Sequence, residues 1–105
     1  MSEIAANHLK RYRGLALQFV YGNHHRQLPP MDDLQVWGMF MGLGQTVGQN
    51  DVLTLLQDLR DRGYLTFIEK PNRLTGRVEI SRIQITPSGR DLVEYTHEDR
   101  AVLIP

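Results

Sequence analysis

"VGQNDVLTLLQDLRDRGYLTF", residues 47–67, changes its periodicity partway along, and that change decides the fold. In its first part Val52, Leu55, Leu56 and Leu59 recur at helical spacing, while Asp51, Thr54, Asp58 and Asp61 fall on other faces. Asn50 is placed to cap this helix and Gly63 to stop it, because glycine enters the left-handed conformation that ends helices at little steric cost. From Tyr64 the period becomes two. "YLTFIEK", a turn at "PNRLTG" and "RVEISRIQI" then read as an antiparallel hairpin with a long basic tip.

Upstream, Ile4, Leu9, Tyr12, Leu15, Ala16, Phe19 and Val20 predict an amphipathic helix from Glu3 to Tyr21, ended by Gly22 and Asn23. The prolines of "HHRQLPP" make the next segment a loop. Asp32 or Asp33 then caps a second helix bearing Leu34, Trp37, Phe40 and Met41. "GLGQTVGQND" reads as a connection, since each glycine in a helix interior costs about 1 kcal/mol relative to alanine. Downstream, Thr86 or Ser88 caps a short last helix holding Leu92, Val93 and Tyr95, and the apolar tail "AVLIP" is expected to pack on something.

The 105 residues, 41% of them hydrophobic, suffice for one modest core, so a single domain is expected over 1–105. The absence of cysteine excludes disulfides, thiolate metal sites and cysteine nucleophiles, and fits a cytoplasmic location. No apolar run approaches the roughly 20 residues of a membrane span, and no signal-peptide pattern opens the chain. The formal net charge of zero conceals segregation: residues 1–30, 31–66, 67–90 and 91–105 carry net charges of +3, −3, +3 and −3. A fold that gathers the two basic blocks on one face makes a nucleic-acid surface.

The order helix, helix, turn, helix, hairpin, helix is that of a winged helix-turn-helix domain, an α+β fold that is mainly α. It has a three-helix core, a two-stranded wing and a short C-terminal helix. "VGQNDVLTLLQDLRDRGYLTF" followed by "IQITPSGRDLVE" resembles the MarR-like and PadR-like pattern of recognition helix, strand entry, wing and final helix start. The resemblance covers about residues 32–95, with residues 1–22 as an N-terminal helix before that core. The small size, long first helix and apolar end look most like the short winged-helix proteins of Mu-like phages and prophages.

The resemblance implies a DNA-binding transcriptional regulator whose third helix enters the major groove while the wing touches phosphate or the minor groove. It makes Thr46, Gln49, Asn50 and Thr54 the groove-facing candidates and Lys70, Arg73 and Arg77 the phosphate contacts, with Arg82 further along the second strand. The helix departs from the pattern by carrying Asp51 and Asp58 and no cation in its first two turns, and those carboxylates repel phosphates. The alternative is therefore a winged-helix module that docks another protein through its acidic third helix and the apolar second helix or tail. A homodimer through the first helix and tail is expected under the DNA reading.

No enzyme signature is present. Ser88 in "TPSGR" lacks the glycine context of a nucleophile elbow, and "GLGQTVG" lacks the lysine of a phosphate loop. His24 and His25 have no neighbouring Cys or acid pair to complete a metal shell, so neither metal nor cofactor is expected.

Overall fold

The structure, a computed structural model, describes the backbone of residues 6–105 and the side chains from His8 onward. It is α+β: four helices and one antiparallel hairpin, in the order α1 (Ala6–His25), α2 (Asp33–Gly42), α3 (Gln49–Asp61), β1 (Leu65–Pro71), β2 (Val78–Ile85) and α4 (Pro87–Val93). The expected start of the first helix at Glu3 lies outside the described residues.

Gly22 and Asn23 do not end α1. Both stay helical, and the chain closes the helix with Gln27 at φ 57°, where the Leu28 and Gln27 amides donate to the carbonyls of Asn23 and His24. This is a glycine-type helix end built on glutamine. Beyond it Met31 forms a single antiparallel bridge with Ile83, its carbonyl accepting from the Ile83 amide at 2.9 Å. Met31 thus lies against the edge of β2 opposite β1, and ties the hairpin to the chain entering α2.

Of the two aspartates, Asp32 caps α2. Its Oδ1 accepts from the Gln35 amide at 2.8 Å while Gln35 Oε1 accepts from the Asp32 amide at 2.9 Å, a reciprocal box that satisfies two otherwise orphaned donors. The glycine-rich connection is shorter than its composition suggests, because α2 runs through Gly42 before Gly44 turns the chain at φ +75°. Asn50 does not cap α3. The extended residue before the helix is Gly48, and Asp51 Oδ2 reaches back to accept its amide at 3.0 Å, which puts Asn50 inside the first turn. Gly63, at φ +86°, ends α3 as expected.

The register of the hairpin pairs Leu65 with Ile85 and Lys70 with Glu79, and shifts by one between Thr66 and Ile68. Arg82, at φ 55°, sits in this bulge. The extra residue resets the alternation of β2, so that Ile83 and Ile85 point inward with Ile80 although they fall on the other parity. Thr86 caps α4: its Oγ1 accepts from the Gly89 amide and donates to the Gly63 carbonyl at 2.6 Å, joining the end of α3 to the start of α4.

Phe40 is fully buried between Phe19 and Tyr12, with edge-on ring contacts at 5.1 and 5.7 Å. Around it Leu17, Val36, Val52, Leu56, Leu59, Leu65 and Ile80 form one core shared by all three long helices and the hairpin. The tail packs on α1. Val102 is buried, the Leu103 amide donates to the Lys10 carbonyl, and the backbone crosses α1 at Gly14, where a Cβ would come within 1.8 Å of the Leu103 oxygen.

Candidate nucleic-acid interface

The buried arc of α3 comprises Val52, Leu53, Leu55, Leu56 and Leu59. At about 100° per residue the opposite arc is centred on Asn50, Thr54, Gln57 and Asp61, with Asp51 and Asp58 along one flank. Asn50 and Thr54 are exposed one turn apart, and Thr54 Oγ1 donates to the Asn50 carbonyl at 3.1 Å, leaving its lone pairs outward. Gln49 is turned about 100° from Asn50 and is half-buried, so it does not share that face. Thr46 is exposed in the connection before the helix. Gln57, which the sequence reading passed over, extends the Asn50–Thr54 face by one turn and donates to Glu69 Oε2 of β1 at 2.8 Å. Its spacing of seven from Asn50 was the available signal.

Of the carboxylates of α3, Asp58 is the one held between two cations. Asp58 Oδ2 lies 2.7 Å from Arg13 Nε of α1 and 2.9 Å from Arg62 Nε. The Arg13 contact is an ion pair without an aligned hydrogen bond, since the Nε–H points elsewhere. Arg13 also donates from its terminal nitrogen to the Ala101 carbonyl at 3.0 Å, so it clamps α1, α3 and the tail together. Asp51 is committed to the Gly48 amide, and Asp61 to Arg60 at 3.3 Å. Arg60 itself lies over the Phe67 ring, 4.9 Å from its centre, and 3.7 Å from Glu69. Asp58 is thus a link between α1 and α3 rather than an isolated surface charge. The part of the α3 face at Asn50 and Thr54 is uncharged, with Asp51 on its flank and the exposed Asp61 at its C-terminal end.

In the wing, Arg77 is occupied. It donates to Asp33 Oδ2 at 3.2 Å, bracing the hairpin against the first turn of α2. Asp33 is 4% exposed, and burial pushes its carboxyl above the usual range, opposed by the Arg77 guanidinium and by the backbone amides of Asp33 and Ile80. Lys70, Arg73 and Arg82 are exposed and form no ion pair with any described residue. Lys70 and Arg82 flank the outer sheet surface and Arg73 is at the tip.

The six-residue tip is ordered by one side chain. Asn72 Oδ1 accepts from the amides of Leu74 and Thr75 at 2.8 and 3.2 Å, and the Asn72 backbone exchanges hydrogen bonds with Arg77 and Gly76 at 2.7 Å each. Leu74, on this turn, is 96% exposed. It too was passed over, although an apolar residue in the middle of "PNRLTG" was visible in the sequence.

Ile68 of β1 is a second exposed apolar group on the wing, and others lie away from it. Leu34, Met41 and Leu43 are on α2 and its end, within residues 34–50, a stretch without a single ionisable side chain. The tail that was to support a dimer spends Val102 on its own α1 and leaves Leu103 half-exposed. No helix among the described residues is long and apolar enough to cross a membrane, and no three His, Asp or Glu side chains among them gather at metal-binding distance. No known protein family, curated protein or solved structure matches the chain.

Proposed function

We propose that the chain is a winged helix-turn-helix protein that binds double-stranded DNA and acts as a regulator by occupying a duplex site. Asn50 and Thr54 of α3 read base edges, and Lys70 and Arg73 of the wing hold phosphates. The observation that carries this reading is the uncharged, exposed Asn50–Thr54 surface of α3 beside unpaired wing cations, with Asp58 of the same helix drawn to Arg13 and Arg62. Asn pairs bidentately with adenine, and an uncharged helix surface approaches the groove without the repulsion that free carboxylates bring. The Met31 bridge and the Arg77–Asp33 pair support it further, since both fix the wing relative to α2 and α3. Arg13 and Arg77 have structural roles in this scheme and make no phosphate contact.

The test is binding to random-sequence duplex DNA across a salt series. Each phosphate contact contributes roughly 0.9 to the slope of log affinity against log salt, so the two wing contacts give a slope of about −2, which Lys70→Ala/Arg73→Ala abolishes. Absence of binding at about 20 mM salt, or affinity indifferent to salt, overturns the proposal. Asn50→Ala and Thr54→Ala leave random-duplex affinity nearly unchanged and weaken a selected site by roughly tenfold each.

A second reading is favoured by one observation, the uncharged surface of residues 34–50 with Leu34, Met41 and Leu43 exposed. A protein-docking module uses such a surface, and Leu34→Ser/Met41→Ser then abolishes partner capture while sparing any DNA affinity.

A further inference from the structure

Leu74 contributes nothing to the stability of its own domain. At 96% exposure its side chain buries almost no area against the chain, yet the backbone that carries it is held. Asn72 binds the Leu74 and Thr75 amides with one oxygen, donates from Nδ2 to Glu79 at 2.5 Å, and closes the turn through Arg77 and Gly76. Arg77 is in turn anchored to buried Asp33, and its amide donates to Thr75 Oγ1. The result is a braced hairpin whose foremost side chain is an aliphatic wedge, with Arg73 adjacent and Lys70 behind it on the same wing.

We propose that Leu74 is a minor-groove wedge: with the wing lying along the groove, its side chain enters between two base pairs and partly unstacks them, while Arg73 and Lys70 hold the flanking phosphates. This rests on the DNA reading and adds a mode of contact to it. The chemistry is specific in three respects. An aliphatic side chain on a narrow support fits a base step, where the apolar faces of the bases replace water. Flanking cations hold the phosphates on either side of the minor groove while the duplex bends away toward the major groove. A rigid support is needed because insertion must unstack a step, and a mobile tip would yield before the duplex does. Pyrimidine–purine steps unstack most readily, so the wedge selects sites with a TA or CA step under the wing, a position that no hydrogen bond need read.

The experiment uses the full chain and a duplex of about 30 base pairs with a central TA step, carrying 2-aminopurine at that step and a donor–acceptor dye pair at its ends. Wild-type protein is expected to raise 2-aminopurine fluorescence and to shorten the end-to-end distance by a bend of roughly 20° or more. Leu74→Ala, which folds normally because the side chain touches nothing, binds with roughly three- to tenfold lower affinity and produces neither signal. Asn72→Ala retains Leu74 and both cations but loses the brace, and is expected to lose most of the bend. Arg73→Ala weakens binding in a salt-dependent way and keeps the bend in the bound fraction. If Leu74→Ala binds and bends the duplex as wild type does, the wedge is overturned and the DNA reading stands. If wild type does not bind the duplex, both fall; binding to anionic vesicles in its place, sensitive to Leu74→Ala, assigns the same tip to a membrane surface and equally overturns the proposal.

Discussion

Replacing Arg77 with methionine keeps most of the aliphatic volume of the side chain and removes the charge facing Asp33. Asp33 is left as a carboxylate with 5% of its side chain exposed and no cation within reach. Breaking one side of a buried pair typically costs about 3–5 kcal/mol; because Arg77 is 28% exposed and water reaches it, about 2–3 kcal/mol is the appropriate figure. Trp37, the sole tryptophan, is half-buried with its indole N–H bonded to the Val47 carbonyl, so urea unfolding is followed by its fluorescence. With a slope of roughly 1–3 kcal/mol per molar urea, the midpoint falls by about 1–2 M at pH 7. The pH dependence identifies the cause. Burial already raises the Asp33 carboxyl above its ordinary 3.8, and loss of Arg77 raises it further. A raised acid penalises the folded state where it is ionised, above the folded pKa, and the penalty fades as pH falls through that value. The deficit of Arg77→Met relative to wild type is therefore largest at neutral pH and narrows on acidification. Asp33→Asn/Arg77→Met, which has no charge to bury, recovers most of the stability. A deficit equal at pH 7 and pH 4, or below about 0.5 kcal/mol at pH 7, refutes the buried-pair account.

Gly14→Ala places a methyl group against the Leu103 carbonyl, a backbone atom with no freedom to retreat. The tail is expected to lift from α1, with a loss of about 1–3 kcal/mol and rapid hydrogen exchange at the Leu103 amide, and unchanged protection there counts against the notch. Gly89→Ala meets the Tyr64 carbonyl at 2.4 Å and Ile85 Cγ1 at 2.7 Å, so α4 must shift from the hairpin; thermal unfolding should show about 1–3 kcal/mol of destabilisation. The Tyr64 hydroxyl donates to Asp99 at 2.5 Å, and chiefly this bond holds the Asp99 carboxyl below its usual range. A depressed carboxylate stabilises above its unfolded pKa, and that contribution is lost as pH falls through the folded value. In Tyr64→Phe an NMR titration should find Asp99 raised toward 3.8, and no movement sinks the assignment. The Tyr64 phenol, pushed up to about 12 mainly by burial, falls only part-way back in Asp99→Asn.

What the sequence disclosed was whatever depends on neighbours along the chain. The period of Val52, Leu55, Leu56 and Leu59, the stop at Gly63 and the alternation after Tyr64 are local, and all appear in the structure. The errors fall where a side chain some residues away overrides a local signal. Asp51 reached back to the Gly48 amide and displaced Asn50 from the cap position. Gln27 took the left-handed role that Gly22 was expected to open, and the helix continues through Asn23, His24 and His25 although none of them is buried. The bulge at Arg82 was invisible because period two counts alternation and an inserted residue reads as polar noise. The candidate face was legible at Asn50 and Thr54, which are exposed together, and not at Gln49, because a face assignment needs the true first residue of the helix.

Charge was the least legible property, for a physical reason. Two long-range ion pairs join a basic block to an acidic one, Arg13 to Asp58 across α1 and α3 and Arg77 to Asp33 across wing and α2, and a third, Arg62 to Asp99, joins the two acidic blocks across the end of α3 and the tail. The segregation counted along the chain is thus largely consumed in fixing elements to one another, and no sum over sequence blocks separates a cation that pins a helix from one that meets a partner. The separation matters for function. Phosphate attraction scales with unpaired cations, and on the wing these are Lys70, Arg73 and Arg82 among the described residues. Under the proposed function, a protein so equipped holds random duplex weakly and draws its affinity from contacts that depend on sequence: base edges at Asn50 and Thr54, and a deformable step beneath Leu74.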